Sequence, residues 1–207
     1  GNDFVIIDYD EYLKYGCEMA ELAKKICNRN FGIGSDGMII TNLQEKNADI
    51  GWYFYNSDGT TAQMCGNGMR CFAKYVYDKD IVKKETMKIE TMEDIKEARL
   101  TVVDDNVEDI EIDMGKGFFI PEEIPAIAPS GDTTEFIDEE VNVEGEKVKM
   151  SAVSVGNPHA VCFTDINIDD IDLDFYGPRI ETHEAFPEKV NVHFVNILSP
   201  EEIDILT

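Results

Sequence analysis

Positive charge is scarce in this chain. Its 207 residues carry 18 Lys and Arg against 43 Asp and Glu, a formal charge of −25. A surface with that balance repels nucleic acid and anionic membranes, so a polyanionic partner is excluded and a small molecule is favoured. Long apolar runs are missing too: no stretch approaches the roughly 20 residues of a membrane-spanning helix, and no membrane partner is expected. Nothing reads as a signal peptide, although the sequence opens on Gly1 rather than Met. Cys-x-x-Cys pairs and His/Cys metal spacings are absent, so no metal site is expected. The five cysteines, Cys17, Cys27, Cys65, Cys71 and Cys162, are odd in number. They read as free thiols rather than a disulfide framework, which fits a reducing compartment and the cytoplasm.

The charge is unevenly spread. Residues 1–100 hold 13 basic and 17 acidic side chains; residues 101–207 hold 5 and 26. The pattern of Met114-Gly115-Lys116-Gly117, with Pro121, Pro125 and Pro129 after it, reads as a linker. Two domains are therefore expected, over 1–115 and 116–207.

The most informative stretch lies between residues 50 and 77. Ile50, Trp52 and Phe54 alternate with Gly51, Tyr53 and Tyr55 as in a strand, and Asn56-Ser57-Asp58-Gly59 follows as a turn. Cys65-Gly66-Asn67-Gly68 then opens a segment with Met69, Phe72, Ala73 and Val76 at helical spacing. The first N–H groups of a helix lack internal partners and carry partial positive charge, which favours a thiolate and an anionic ligand beside it. The same residues also suit a capped core helix in which Cys65 is a small buried hydrophobe.

Elsewhere, residues 4–8 read as a buried strand, and Met19, Leu22, Ala23 and Ile26 as one face of a helix. Gly32-Ile33-Gly34-Ser35-Asp36-Gly37 runs from helix to strand, the reverse of a dinucleotide loop, and reads as a tight connection. Strands are expected over 86–90, 98–103, 107–113, 148–155, 160–163 and 191–198, a hairpin turn at Glu144-Gly145, and a helix over 175–185 weakened by Gly177 and Pro178.

Taken together these motifs resemble the diaminopimelate epimerase family. The resemblance is carried by Gly1-Asn2-Asp3-Phe4, Gly32-Ile33-Gly34-Ser35-Asp36-Gly37, Phe54-Tyr55-Asn56-Ser57-Asp58-Gly59, Met64-Cys65-Gly66-Asn67-Gly68-Met69-Arg70-Cys71, Met114-Gly115, Val155-Gly156-Asn157-Pro158-His159 and Val190-Asn191-Val192. It implies an α/β (α+β) fold of two similar domains, each a curved, mostly antiparallel sheet wrapped around a central helix, with the active site in the cleft between them. The second domain would be incomplete, without its central helix. It also implies PLP-independent and metal-independent conversion of LL- to meso-diaminopimelate by two cysteines on opposite faces of the α-carbon, and a homodimer. Cys65 would be one of the two acid/base residues, with His159 near a catalytic cysteine. Asn2, Asn56, Gly66, Asn67, Asn157 and Asn191 would bind substrate.

Each of these positions has an ordinary reading as well. Asn2 suits a strand entry, Asn56 and Asn157 suit turns, Asn191 a strand bulge and His159 a hydrogen-bonded core site. Gly37 stands where many members of the family carry Gln, so the contact to the distal end of the substrate is either absent or made by backbone. The family's second cysteine motif would follow Thr207, and Cys162 is not its equivalent, so the 207 residues alone are expected to turn over poorly or not at all. Two other functions fit the same residues: a cofactor-independent racemase of another amino acid, and a non-catalytic carboxylate-binding module.

Overall fold

The structure is a computed structural model that describes residues 1–42, 47–61, 64–92 and 94–207. The chain divides into two compact units, Gly1–Met114 and Gly115–Thr207. The first holds β1 (Phe4–Ile7), α1 (Tyr9–Tyr12), α2 (Met19–Ile26), β2 (Gly37–Asn42), β3 (Ile50–Asn56), α3 (Gly66–Asp78), β4 (Thr86–Glu90), β5 (Ile95–Val103) and β6 (Asn106–Ile112). The strands lie side by side in chain order. β1/β2 and β3/β4 are parallel pairs and the rest antiparallel.

This sheet curls because α3 packs against β1 and β6, the two edges, as well as β5. The amphipathic spacing of α3 dictates the wrap. Met69, Phe72, Ala73 and Val76 are fully buried, against Ile39, Ile50, Trp52, Phe54, Met87 and Ile89. The other face of the sheet is covered by α2, whose Leu22, Ala23 and Ile26 meet Ile7, Met38 and Ile40. Strand β2 is thus buried on both faces, which is why Met38-Ile39-Ile40 shows no polar alternation.

The glycine-rich connection from α2 to β2 is tight. A Cβ on Gly32 would sit 2.1 Å from the carbonyl oxygen of Lys25, so only glycine fits. The backbone returns at once, with Gly34 N–H donating to Ile26 at 2.9 Å and Ser35 N–H to Cys27 at 3.1 Å.

The second unit holds β7 (Glu139–Val143), β8 (Glu146–Ser154), β9 (Pro158–Phe163), α4 (Leu173–Glu181), β10 (Asn191–Ser199) and β11 (Glu202–Leu206). Its sheet order is β11-β10-β9-β8-β7, antiparallel except for β9/β10. Glu144 and Gly145, at φ 52° and 94°, make the two-residue turn between β7 and β8, the backbone that matches the twist of a hairpin. Helix α4 lies against β7 and β10, with Ile180 fully buried among Phe136, Phe186, Val192 and Phe194. It starts two residues before the expected 175 and stops at Glu181. Asp172 caps it by accepting the Phe175 N–H at 2.9 Å, and Pro178, inside the helix, removes the ladder bond that its N–H would have made to Asp174. The sheet stays open, and α4 does not begin on a cysteine. Both units are thus mostly antiparallel sheets with a helix packed on them, the second less complete than the first. Strand β11 is an addition to the expected elements.

Candidate active site

Cys65 is the N-cap of α3, in extended backbone (φ −145°, ψ 102°). Its Sγ accepts the Gly68 N–H at 3.3 Å. The thiol occupies the position that Ser, Thr or Asp usually takes, satisfying one of the helix's orphan donors. No acidic side chain lies in the first turn to compete with it. Gly68 keeps the sulfur accessible: a Cβ there would stand 3.5 Å from Cys65 Sγ and 3.4 Å from Ile39 Cδ1. At Gly66 the nearest obstacle would be Met114 Sδ, 3.4 Å away.

Sheet register gathers the first unit's other groups at the same end. Phe4 pairs with Gly37 and Gly37 with Asn56, so Asn2, Asp36 and Asn56 lie at one margin of the sheet. Asn67, in the first turn of α3, donates from Nδ2 to Asn2 Oδ1 at 2.8 Å. Asn2 in turn donates to Asp36 Oδ2 at 3.0 Å. Arg70 donates to Asn67 Oδ1. Behind them, Arg29 holds Asp3 (2.8 and 3.1 Å) and Asp36 (2.7 Å). Among the described residues these bonds leave Asn2 and Asn67 each with one amide hydrogen uncommitted. The Asn2 amide, the Asp3 N–H and Arg29 hold the Asp36 carboxyl below its ordinary value, and Arg29 does the same for Asp3.

Asn56 uses its side chain locally. Nδ2 donates to Thr60 Oγ1 at 3.0 Å, while its N–H reaches Thr60 O at 2.8 Å. The turn itself is held by Asp58, which accepts the Thr60 N–H at 2.8 Å. In the second unit, parallel pairing sets Asn191 opposite His159, and Asn191 Nδ2 donates to Pro158 O at 3.0 Å. Asn157 Oδ1 lies 3.0 Å from His159 Nε2, and His159 Nδ1 lies 2.8 Å from His193 Nε2. Asn157, His159 and Asn191 therefore form one group at the starts of β9 and β10.

The remaining thiols are differently placed. Cys162 is 2% exposed in the middle of β9, and burial pushes it up to about 12. Cys27 is buried against the Ser35 hydroxyl, and desolvation raises it as well. Cys71 is exposed on α3, and all five cysteines are free. Among the described residues no three His, Cys, Asp or Glu side chains converge as a metal site. Among the described residues no helix is long and apolar enough to cross a membrane.

Sequence reasoning missed Arg29, Asp36 and His193. Arg29 is joined to Asp3 across 26 residues and Asp36 to Asn2 across 34, by contacts that no local pattern encodes. His193 was findable: on a strand it shares a face with Asn191.

The architecture is shared with solved racemases and epimerases. A structure of a probable proline racemase from Agrobacterium radiobacter K84 superposes with a TM-score of 0.65 over 90% of this chain and 57% of its own, at 15% identity. A hydroxyproline epimerase from Agrobacterium vitis gives 0.63 over 89% and 56%, at 11% identity. The chain thus spans little more than half the length of these two structures. At those identities the likeness shows the fold, to which this chain adds a thiol-capped helix. The family is decided by sequence. The family model described as diaminopimelate epimerase matches residues 1–120. The diaminopimelate epimerase of Methanothermobacter thermautotrophicus is 43% identical over 209 residues, covering 100% of this chain and 71% of the relative. That of Methanocaldococcus jannaschii is 42% identical over 218 residues, covering 100% and 74%. The chain belongs to the diaminopimelate epimerase family.

Proposed function

We propose that the protein inverts one stereocentre of diaminopimelate, interconverting the LL and meso forms, by moving a proton at the α-carbon between two sulfur atoms. Cys65, as thiolate, takes the α-proton. The electron pair of the broken C–H bond spreads onto the α-carboxylate. A second thiol on the opposite face returns a proton to carbon and becomes the thiolate, so no net proton is consumed. The observation that carries this reading is the Cys65 sulfur seated on the Gly68 N–H at the margin where Asn2 and Asn67 present their amides. An α-proton is very weakly acidic, so the base must be aimed, and donors must stand ready where carboxylate charge grows.

In this reading Gly66 and Asn67 bind the α-carboxylate at the helix start. Asn2, Asn56, Asn157 and Asn191 hold the ammonium and carboxylate ends, and His159 biases the ionisation of a catalytic cysteine. The burial of Cys27 and Cys162 argues against either as the second acid/base group, and this reading takes that thiol from outside the 207 residues, which alone would turn over poorly. The product is a precursor of lysine and peptidoglycan, and the working protein is a cytoplasmic homodimer.

Incubating the full-length protein in D2O with a panel of amino acids tests the reading. Deuterium should enter diaminopimelate at its α-carbon and meso product should accumulate. Exchange into another amino acid, with diaminopimelate inert, would transfer the same chemistry to a different substrate. Gly37 is the feature that keeps this alternative open. A Cβ there would stand 2.6 Å from the Phe54 ring, so the position offers the distal end of a substrate backbone only.

A further inference from the structure

His159 and His193 stand on adjacent parallel strands, with His159 opposite Asn191 and His193 opposite Val161. Their rings are 5.0 Å apart at 26°, joined Nδ1 to Nε2 at 2.8 Å. The line of contacts continues at both ends. Nε2 of His159 lies 3.0 Å from Asn157 Oδ1, and Nδ1 of His193 lies 3.0 Å from Thr207 Oγ1.

One end of this line sets the direction of all of it. An amide oxygen only accepts, so Nε2 of His159 carries a hydrogen. In the neutral ring Nδ1 is then a bare lone pair, and the donor facing it is the Nε2–H of His193. The Nδ1 of His193 accepts from the Thr207 hydroxyl. The pair can take up one proton: the Nε2 hydrogen of His193 passes to His159 Nδ1, the new proton enters at His193 Nδ1, and the hydroxyl turns to accept it. A second proton would set two N–H groups against each other across 2.8 Å.

We propose that His193 is a positioning residue that locks His159 in the Nε2–H tautomer, so that the ring presents a hydrogen-bond donor toward Asn157 at neutral pH. That Nε2–H is held by the Asn157 oxygen, which leaves the Asn157 amide N–H2 as the donor that meets an anion, and the ring cannot itself remove the α-proton. This inference rests on the reading of His159 as a group of the site. The neighbours leave the two rings to each other. Strand β8 offers Val153 opposite His159, β9 offers Val161 opposite His193, and Thr207, just after β11, offers its hydroxyl. Among the described residues the charge that bears on His159 is that of His193. Burial depresses both rings, and His193 depresses His159 further.

The test is ring-nitrogen NMR of the full-length protein with labelled histidine, run beside the pH profile of kcat/KM for α-proton exchange. This chain contributes three histidines, and the third is an internal reference. His183 Nε2 lies 3.1 Å from the Asn142 carbonyl and its Nδ1 accepts the Ala185 N–H at 3.1 Å, so it too is an Nε2–H ring. The wild type should show His159 in the Nε2–H form alone. His193→Phe should release it into a mixture of tautomers and move the acid limb of the profile to higher pH by about half a unit or more. His193→Gln, whose amide N–H can meet Nδ1, should restore both, and an unchanged His183 signal reports that each variant is folded. A single Nε2–H tautomer and an unmoved acid limb in His193→Phe would overturn the proposal, as would an Nδ1–H ring in the wild type. A locked tautomer in a protein that exchanges no amino acid would instead overturn the proposed function.

Discussion

The Sγ of Cys65 accepts the backbone N–H of Gly68 at 3.3 Å, so the residue assigned to the chemistry also caps the helix. The two roles separate by substitution. Cys65→Ser keeps a capping oxygen and Cys65→Ala keeps none. Both should reduce α-deuterium exchange by about a hundredfold or more. Only the alanine variant should also lose stability, by about 1 kcal/mol in urea unfolding. Normal exchange in either variant would remove Cys65 from the mechanism.

Asp36 connects the Arg29 ion pairs to an exposed amide. Replacing it with Asn removes the charge that holds Arg29 and weakens the acceptor for Asn2. KM should rise several-fold with a smaller fall in kcat, because the amide that meets the substrate loses its aim. The stability cost should stay under about 1 kcal/mol, since the ion pair is partly solvated. A kcat loss as large as that of the Cys65 variants would contradict a positioning role.

The same carboxylate predicts a pH dependence. Asp36 is held below its ordinary value of 3.8, so the folded state binds fewer protons than the unfolded one near that pH. Its contribution is complete above pH 3.8 and disappears as the pH falls through the lower, folded value. Urea unfolding of the wild type and Asp36→Asn between pH 2 and 6 should therefore converge at the acid end. Curves that stay parallel throughout would show that the charge contributes nothing.

The imidazole pair acts at higher pH with the opposite residue chemistry. Both rings sit below the ordinary 6.5, so unfolding takes up protons as the solution is acidified. Stability should fall as pH drops below 6.5 and flatten once the folded rings themselves titrate. In His193→Gln this slope should be reduced, which chemical denaturation at a series of pH values would detect.

Gly32 offers a test of the fold alone. Its missing Cβ would meet the Lys25 carbonyl at 2.1 Å and that of Ile26 at 2.5 Å. Both are backbone atoms of α2 and cannot swing away. Gly32→Ala should cost about 2–3 kcal/mol, whereas Gly68→Ala, with only ordinary contacts around it, should cost little. Equal stabilities for the two would contradict the tight connection.

What the sequence disclosed follows from how local each signal is. The alternation of Trp52 and Phe54 and the helical spacing of Met69, Phe72, Ala73 and Val76 lie in single elements, and they placed β3 and α3. The thiol at the start of α3 was readable because a cap is a local motif. Strand β11 carried a signal that went unused: Ile203 and Ile205 alternate with Glu202 and Asp204. The Arg29–Asp36–Asn2–Asn67 chain was not readable, because register joins its members and register is a tertiary property. The His159–His193 contact lies between, since each strand's face was legible while their pairing was not.

The order of strands in the first sheet repeats the order of the chain. A ribosome therefore delivers each strand next to a neighbour already made, and little of this sheet waits on a distant partner. Helix α3 is the exception, because β5 and β6 close around it only after residue 112 has been synthesised. Until then Phe72 and Val76 lack the packing that β5 and β6 complete. The nascent chain thus has an interval in which the apolar face of α3 is open to solvent and to other chains, and that interval ends when β6 docks.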